Sequence, residues 1–270
     1  QTNGTDFQTF QLQLNAAPLR ELWFSTASGM TPSHPPTNHV SPGDLISSAG
    51  RVVKRNDELT RHLGIPPVVP DLGLDAVDVL TNGEIVFSLE KDIFSGTLGP
   101  LHHGDLLSER GRIVARNQDL TRAFFIMPPV PDVGLDAVQV RDGGEIYFSI
   151  ETSIFSGTGG MLGRGDVLSN RGVIVKNNAQ LLARFHPPLK LGLVPHDYGL
   201  NALYVWPSGE VWFSLEEGFQ DGELGSILAG DLLSDQGYVV HGNLDLVSAF
   251  APVEDKSDFG LDALWLVSDT

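Results

Sequence analysis

Acidic and amide side chains recur at nearly constant spacing along this chain of 270 residues. They occupy the third position of a repeated Gly-Leu-Asp/Asn-Ala element, and the set is Asp75, Asp136, Asn201 and Asp262. Consecutive members are 61, 65 and 61 residues apart. Carboxylate and amide oxygens suit hard cations such as calcium, and the chain offers no cysteine and no repeated histidine for a softer metal. The alternative role is structural, because such carboxylates can also accept backbone N–H bonds where a strand begins.

A second group of residues could perform acid–base chemistry on a sugar polymer. Three glutamates end a repeated Phe-Ser-Leu/Ile-Glu segment, and the first repeat has Ala27 at that position; the glutamates are Glu90, Glu151 and Glu216. His102 and His103 precede a Gly-Asp pair in a long loop and could act with them as catalytic groups. The alternative interpretation is that the glutamates are solvated strand ends and the histidines lie on a surface loop.

A third repeated set follows a glycine in each unit: Asp44, Asp105, Asp166 and Asp231, with serines three residues later. These aspartates would line a central channel if their strand were innermost. Alternatively, each closes a local turn after its glycine. The four tryptophans lie on or beside predicted strands, which favours packing between blades over a sugar-stacking platform.

Composition excludes several classes of protein. Acidic residues outnumber basic ones by 34 to 17, and the net charge of −17 would repel nucleic acid and favour cationic partners or metal ions. Without cysteine there is no disulfide, thiolate metal site or cysteine nucleophile. No apolar run approaches the length of a membrane helix. The start at Gln1, with no signal segment, leads us to expect a processed protein that is secreted or periplasmic.

Internal repetition predicts the fold. Each unit contains two hairpins, a short helical segment that begins near an asparagine, and a proline-rich crossing. Four strands in each of four units predict an all-β, four-bladed propeller formed by residues 1–270, with units at about 20–72, 73–133, 134–198 and 199–267. Residues 261–267 should pair with residues 20–26 and close the ring, while residues 7–14 should add an edge strand. Two stacked β-sandwiches are the alternative architecture.

The order of helical turn, proline-rich crossing and GLDAV–turn–EIYFS resembles the hemopexin-type repeat. The succession of GLDAV, DGGEIYFS and GDLLS is also similar to uncharacterised repeats of secreted bacterial proteins. The hemopexin resemblance implies that the GLDA strand is innermost, so that the first set of residues rings the mouth of the channel. It also implies a calcium or sodium ion held by main-chain carbonyls at this element. The longer period, the missing terminal disulfide and the FSLE strand depart from that family.

These observations favour an exported binding or structural propeller over an enzyme. Its axis would hold calcium or another hard cation, and a protein, glycan or cationic ligand would dock on a face formed by the loops. The alternative is a polysaccharide-active hydrolase or lyase that uses Glu90, Glu151 or Glu216 with His102 or His103.

Overall fold

The computed structural model describes residues 20–34, 38–66, 71–158, 160–188 and 196–267, so the edge strand predicted at residues 7–14 lies outside the described residues. In chain order, the strands are β1 (Leu22–Phe24), β2 (Leu45–Ser47), β3 (Arg51–Lys54), β4 (Val77–Val79), β5 (Ile85–Phe87), β6 (Ile93–Ser95), β7 (Gly99–Leu101), β8 (Leu106–Ser108), β9 (Arg112–Ala115), β10 (Val138–Val140), β11 (Ile146–Phe148), β12 (Ile154–Ser156), β13 (Gly160–Leu162), β14 (Val167–Ser169), β15 (Val173–Lys176), β16 (Ala202–Val205), β17 (Val211–Ser214), β18 (Phe219–Asp221), β19 (Gly225–Ile227), β20 (Leu232–Ser234), β21 (Tyr238–His241) and β22 (Leu264–Leu266).

The strands form four antiparallel four-stranded sheets, which are the blades of a propeller. Numbered from the amino terminus, the blades have the orders β22-β1-β2-β3, β4-β5-β8-β9, β10-β11-β14-β15 and β16-β17-β20-β21. The first strand of each order contacts the first strands of both neighbouring blades, so β4, β10, β16 and β22 surround the axis. The predicted four-bladed fold is therefore confirmed, with the GLDA strand innermost.

Ring closure occurs where the sequence predicts it. Strand β22, from the carboxyl-terminal region, pairs antiparallel with β1, so that Trp23 lies opposite Trp265. Blade 1 is thus built from both ends of the described chain. Such pairing stabilises a ring because unfolding the blade requires both segments to separate from it.

The apolar core also shows why one blade cannot fold alone. The buried side chains form four clusters, and each cluster joins two consecutive blades. For example, Leu45 and Ala263 of blade 1 pack with Val77 and Phe87 of blade 2. Four cores shared around a ring are incompatible with two stacked β-sandwiches, which would have one core each.

The predicted helical turns are present between the blades. They are α1 (Asn56–Thr60), α2 (Asn117–Thr121), α3 (Asn178–Leu181) and α4 (Asn243–Val247). The asparagine expected to cap each helix does so only at α3, where Asn177 accepts the N–H of Gln180. The repeated aspartate from the preceding hairpin instead accepts the N–H of the first helical residue, as Asp105 does from Asn117 at 3.2 Å.

Blades 2 to 4 also carry two-stranded ribbons that the sequence pattern did not indicate, formed by β6–β7, β12–β13 and β18–β19. The corresponding loop of blade 1 has an isolated bridge between Met30 and Val40. Within the described residues, no helix is long and apolar enough to cross a membrane.

A ring of buried hydrogen bonds ties each blade to the next. The serine of the FSLE segment donates its hydroxyl to the leucine carbonyl at the start of the following blade's inner strand. The four bonds, of 2.6, 2.7, 3.0 and 2.6 Å, join Ser25 to Leu74, Ser88 to Leu135, Ser149 to Leu200 and Ser214 to Leu261. All four serines are fully buried. Because this contact repeats at every blade interface, it sets how closely the inner strands approach the axis.

We predict that Ser88→Ala lowers the unfolding free energy by about 1–3 kcal/mol, because it leaves the buried Leu135 carbonyl without this donor. Chemical denaturation followed by tryptophan fluorescence measures the change. Ser226→Ala, at an exposed strand position, is the matched control and should change stability by less than about 0.5 kcal/mol. Equal effects of the two substitutions would contradict a structural role for the interblade bond.

Candidate functional site

One mouth of the central channel is an acidic cavity of about 380 Å³. Two rings of residues line it, one from the inner strands and one from the ends of the FSLE segments. The lining residues are Ala27, Asp75, Glu90, Asp136, Glu151, Asn201, Glu216 and Asp262. All four residues predicted to ring the channel mouth are therefore brought together. The three glutamates also line the cavity and are half-buried there.

Hairpin register explains why the two rings coincide. Val77 pairs with Phe87, and the Asp75 N–H approaches the Ser88 carbonyl at 3.4 Å. The start of the inner strand thus lies beside the end of the FSLE segment, where Glu90 follows. Each glutamate side chain packs against the glycine that begins the inner strand, and no larger residue would fit there. A Cβ built on Gly73, whose φ is +74°, would lie 2.2 Å from the Glu90 carboxyl carbon.

Asp136 has the most unusual environment in the cavity. The residue is 2% exposed, and neither carboxyl oxygen has a hydrogen-bond partner. Ligand oxygens of Asp75, Asp136 and Glu151 all lie within 4.8 Å of one another. A buried, unpartnered carboxylate is costly unless it is protonated or bound to a cation. The structural role considered for Asp136, acceptance of backbone N–H bonds, is absent.

The clustered carboxyls raise one another's pKa. Burial is the main cause for Asp75 and Asp136, whose pKa values lie well above the usual range, and the neighbouring Glu151 charge adds to both. Burial likewise raises the pKa of Asp262 to about 7, against the effect of its hydrogen bond from Asn201. The pKa values of Glu90 and Glu151 are raised too, chiefly by burial. The protonated forms of these carboxyls are therefore favoured more strongly than those of isolated carboxyls.

The ring is not symmetric. The amide of Asn201 replaces one carboxylate and donates to the Asp262 carboxylate at 3.2 Å. Ala27 replaces one glutamate. These two substitutions remove acidic groups from blades 4 and 1, so the densest cluster of oxygens lies at blades 2 and 3.

Basic residues pair with two of the glutamates at the rim. Arg164 forms an ion pair with Glu216, and its other guanidinium nitrogen lies 3.4 Å from the Asp197 carbonyl. His103 Nε2 lies 3.7 Å from a Glu151 oxygen. Each pair crosses a blade interface, because the base precedes the Gly-Asp turn of one blade and the glutamate belongs to the next.

The histidine pair predicted as an alternative catalytic group is organised by Asp92. Its two carboxylate oxygens contact His102 Nδ1 at 3.0 Å and His103 Nδ1 at 2.8 Å. These contacts lower the pKa of Asp92 to about 2, despite partial burial. The structure thus brings His103, but not His102, to Glu151.

The third repeated set serves the architecture. Asp44 accepts the Ser41 N–H at 3.0 Å and the Asn56 N–H at 2.9 Å, and the equivalent bonds recur in the other blades. Arg55 and Arg116 neutralise two of these aspartates. The tryptophans pack on other rings or in the core, including Trp23 against Trp265 at 4.8 Å between ring centroids.

Sequence reasoning missed a fourth set of aspartates, two residues before the glycine of each inner strand. Asp71, Asp132, Asp197 and Asp258 each accept that glycine's N–H, at distances from 2.8 to 3.1 Å. The signal was present as an Asp-X-Gly-Leu pattern in all four units. These bonds hold the glycines in the positive-φ conformation on which the glutamates pack.

No protein-family model and no curated protein matches the sequence. Similar solved structures include virginiamycin B lyase from Staphylococcus aureus, with a TM-score of 0.26, 12% identity, and coverage of 64% of this chain and 57% of that one. The extracellular domain of a protein described as a one-component system from B. thetaiotaomicron has a TM-score of 0.34 and 11% identity, over 90% of this chain and 37% of that one. The chain spans less than two thirds of the length of the lyases. At these scores the likenesses assign no function.

We predict that, without divalent cations, the unfolding free energy falls as pH rises from 5 to 8. Asp78 and Asp262 each have a folded-state pKa of about 7, raised mainly by burial from 3.8, so the folded protein binds more protons than the unfolded chain in this interval. Asp262→Asn should reduce the slope by up to about 1.4 kcal/mol per pH unit. Urea denaturation at several pH values measures how the unfolding free energy changes with pH. Asp255→Asn, at an exposed position, should leave the slope unchanged.

Proposed function

We propose that the protein is a non-catalytic binding propeller whose axial cavity holds a hard divalent cation, with calcium as the best fit. The observation that carries this proposal is the buried Asp136 carboxylate, which faces the cavity without a hydrogen-bond partner. Asp75 and Glu151 supply the adjacent oxygens. Asp262 and Asn201, which complete the predicted ring, also line the cavity.

The donor set fits this ion better than a softer metal. Calcium takes six to eight oxygen ligands at about 2.3–2.6 Å, so oxygens bound to one ion lie within about 5 Å of each other. The ligand oxygens of Asp75, Asp136 and Glu151 lie within 4.8 Å of one another and so meet that requirement. The cavity is lined by carboxyls, one amide and one alanine, with no sulfur or imidazole ligand among them.

The ligands differ from those that the hemopexin resemblance implies. There, main-chain carbonyls at this element would hold the ion, whereas the leucine carbonyls here accept the interblade serine hydroxyls. We assign the ligation to side-chain carboxylates because the Asp136 oxygens are buried and lack a hydrogen-bond partner. Because the cluster contributes only three carboxylates, we expect a calcium affinity in the weak range of extracellular modules.

The alternative, a polysaccharide-active enzyme, rests on the contact between His103 and Glu151. Asp92 holds the other ring nitrogen of this histidine, an arrangement that also orients catalytic histidines. A screen for hydrolysis or elimination of glycan polymers tests it, with Glu151→Gln and His103→Ala as variants. Turnover by the wild-type protein that both substitutions abolish would contradict a purely binding function.

We predict that Asp136→Asn has opposite effects in the two states of the site. Without calcium the variant should melt at a higher temperature than the wild type at pH 7, because folding then no longer has to bury or protonate a carboxylate that lacks a hydrogen-bond partner. With calcium at about one hundred times its Kd the wild type should gain about 2.7 kcal/mol, and the variant should gain little. Calorimetric melting with calcium and with chelator measures both effects, and elemental analysis measures bound metal.

Asp142→Asn is the matched control, since it removes a carboxylate from the exposed turn of the same blade. It should keep the calcium response of the wild type. A wild-type melt that calcium and chelator leave unchanged, together with no bound metal, would rule out the axial cation.

A further inference from the structure

Four large apolar side chains are exposed at the interface between blades 2 and 3. The exposed fractions are 67% for Phe125, 76% for Met127, 71% for Phe155 and 49% for Met161. Phe155 and Met161 lie directly opposite each other in the β12–β13 ribbon. Phe125 lies against the same ribbon, since a Cβ built on Gly157 would be 3.0 Å from the Phe125 Cβ. We call these four exposed residues the apolar patch.

The backbone holds Phe125 in a conformation that phenylalanine seldom adopts. Its φ of +53° and ψ of +44° lie in the left-handed region, which is unfavourable for a bulky side chain. The equivalent positions after α1 and α4 carry Gly64 and Ala251. Because Phe125 is largely exposed, packing in the core does not offset this cost. A residue that strains the backbone without filling the core indicates a role in an interaction.

The ribbon of blade 4 shows that the fold does not require apolar side chains at this place. It pairs Gln220 with Ser226 at the positions that Phe155 and Met161 occupy in blade 3. Both polar residues are exposed, as their apolar equivalents are. The same backbone pairing thus forms with either kind of side chain, so the apolar residues of blade 3 need another explanation.

The segments that carry the apolar patch are uncharged, although the protein as a whole is strongly acidic. Residues 123–131 and 152–163 contain no aspartate, glutamate, lysine, arginine or histidine, whereas the whole chain has a net charge of −17. The corresponding residues between blades 3 and 4 include Arg184, Asp221 and Glu223. Clustered apolar side chains on the surface of a protein of this charge are typical of a site that another molecule covers.

Acidic groups lie at one end of these uncharged segments. The Thr152 N–H donates to the Val133 carbonyl at 3.0 Å, so the two segments run side by side. The residues immediately before them in the chain are Glu151 and Asp132, whose side chains are 37% and 19% exposed. Glu151 and Phe155 are four residues apart, which is at most about 14 Å of backbone. The surface therefore changes from acidic to apolar over the length of a short peptide.

We propose that the apolar patch binds a peptide segment of a partner protein, in which a lysine or arginine lies within about four residues of a bulky apolar residue. The bulky residue contacts the patch, and the basic group meets Asp132 and Glu151. This interaction goes beyond the proposed function and does not depend on the axial cation. Asp132 is outside the proposed ion ligands, so this end of the surface stays acidic whether or not a cation is bound.

Charge distinguishes this partner from other molecules that could cover the patch. A second copy of the chain brings a further net charge of −17, and a phospholipid bilayer presents phosphate groups to the acidic end. Residues 1–19 of the chain contain apolar residues but no lysine, arginine or histidine. Arg122, which is close to the patch in the chain, is already paired with Asp119. The basic group therefore comes from the ligand.

Selection from a phage library of random twelve-residue peptides tests this proposal. The full chain is the target, and the variant Phe155→Gln/Met161→Ser, which carries the residues found at these positions in blade 4, is used for counter-selection. We expect the enriched peptides to combine a bulky apolar residue with lysine or arginine within about four positions. Fluorescence polarisation of a labelled synthetic copy then measures its Kd, and the double variant should bind it at least about tenfold more weakly.

Phe125→Gly separates a binding role from a structural one. It should weaken peptide binding at least about tenfold without lowering the melting temperature, because glycine adopts the positive φ readily, as Gly64 does in the equivalent turn. Phe94→Gln is the matched control, since it removes a phenylalanine that is 66% exposed from the ribbon of blade 2. It should keep the wild-type affinity. Circular dichroism and melting identify any variant that fails to fold.

The acidic end of the surface is tested separately with the same labelled peptide. Asp132→Asn should weaken binding about twofold to fivefold, as expected for the loss of one exposed ion pair. Sodium chloride raised from about 50 to about 500 mM should also weaken binding, because it screens exposed charges.

Failure to enrich any peptide, or wild-type affinity in both Phe125→Gly and the double variant, would overturn the inference. Enrichment of apolar peptides without a basic residue would contradict the role of the acidic end. Concentration-dependent dimerisation that the double variant abolishes would assign the patch to a second copy of the chain. Binding to phosphatidylcholine vesicles that the double variant abolishes would assign it to a bilayer. None of these results bears on the axial cation, so the proposed function is tested independently.

Discussion

The hydrogen bond from a buried serine hydroxyl to the leucine carbonyl of the next blade fixes the rest of the structure. Each leucine immediately precedes a member of the channel ring, as Leu135 precedes Asp136. The bond therefore positions the start of each inner strand, and with it the acidic side chain that follows. The same serine is two residues before the rim position, which for Ser88 is Glu90. One repeated contact thus joins neighbouring blades and places both rings at the mouth of the channel.

Placing these carboxyls together opposes folding, and the protein reduces that cost by different means around the ring. Arg164 neutralises Glu216 directly, and Asn201 replaces a carboxylate and donates to Asp262. At blades 2 and 3, Asp136 has no such partner, which leaves protonation or a bound cation as the remaining ways to stabilise it. The serine hydrogen bond that joins the blades is uncharged and present at all four interfaces. The carboxyls of the cavity, in contrast, are neutralised at some blades and not at others. The serine bond therefore belongs to the architecture, and the uneven neutralisation marks the candidate site.

The sequence predicted the architecture well because repetition constrains it at many positions. Two motifs at matching intervals identified the blades, and the unpaired strands at the two ends identified the closure that the pairing of Trp23 with Trp265 now confirms. Side-chain roles were harder to predict. The sequence places Glu90 at the end of its strand, but only the hairpin register, which sets this end beside the start of the inner strand, brings it to the cavity with Asp75. The ribbons such as β6–β7 were missed because their three-residue strands carry too short a pattern to distinguish from loop.

Asymmetry within the repeat is the most informative feature of the site. A residue needed for folding must be present in every unit, and the interblade serine is present in all four. A residue that serves a ligand need not be present in every unit, because a ligand can contact the units unequally. The replacement of glutamate by Ala27 while Gly260 keeps the matching space shows that the backbone still fits the fourfold pattern. The departure at this position is therefore one of side-chain chemistry and not of backbone geometry, as it also is at Asn201 in the inner ring.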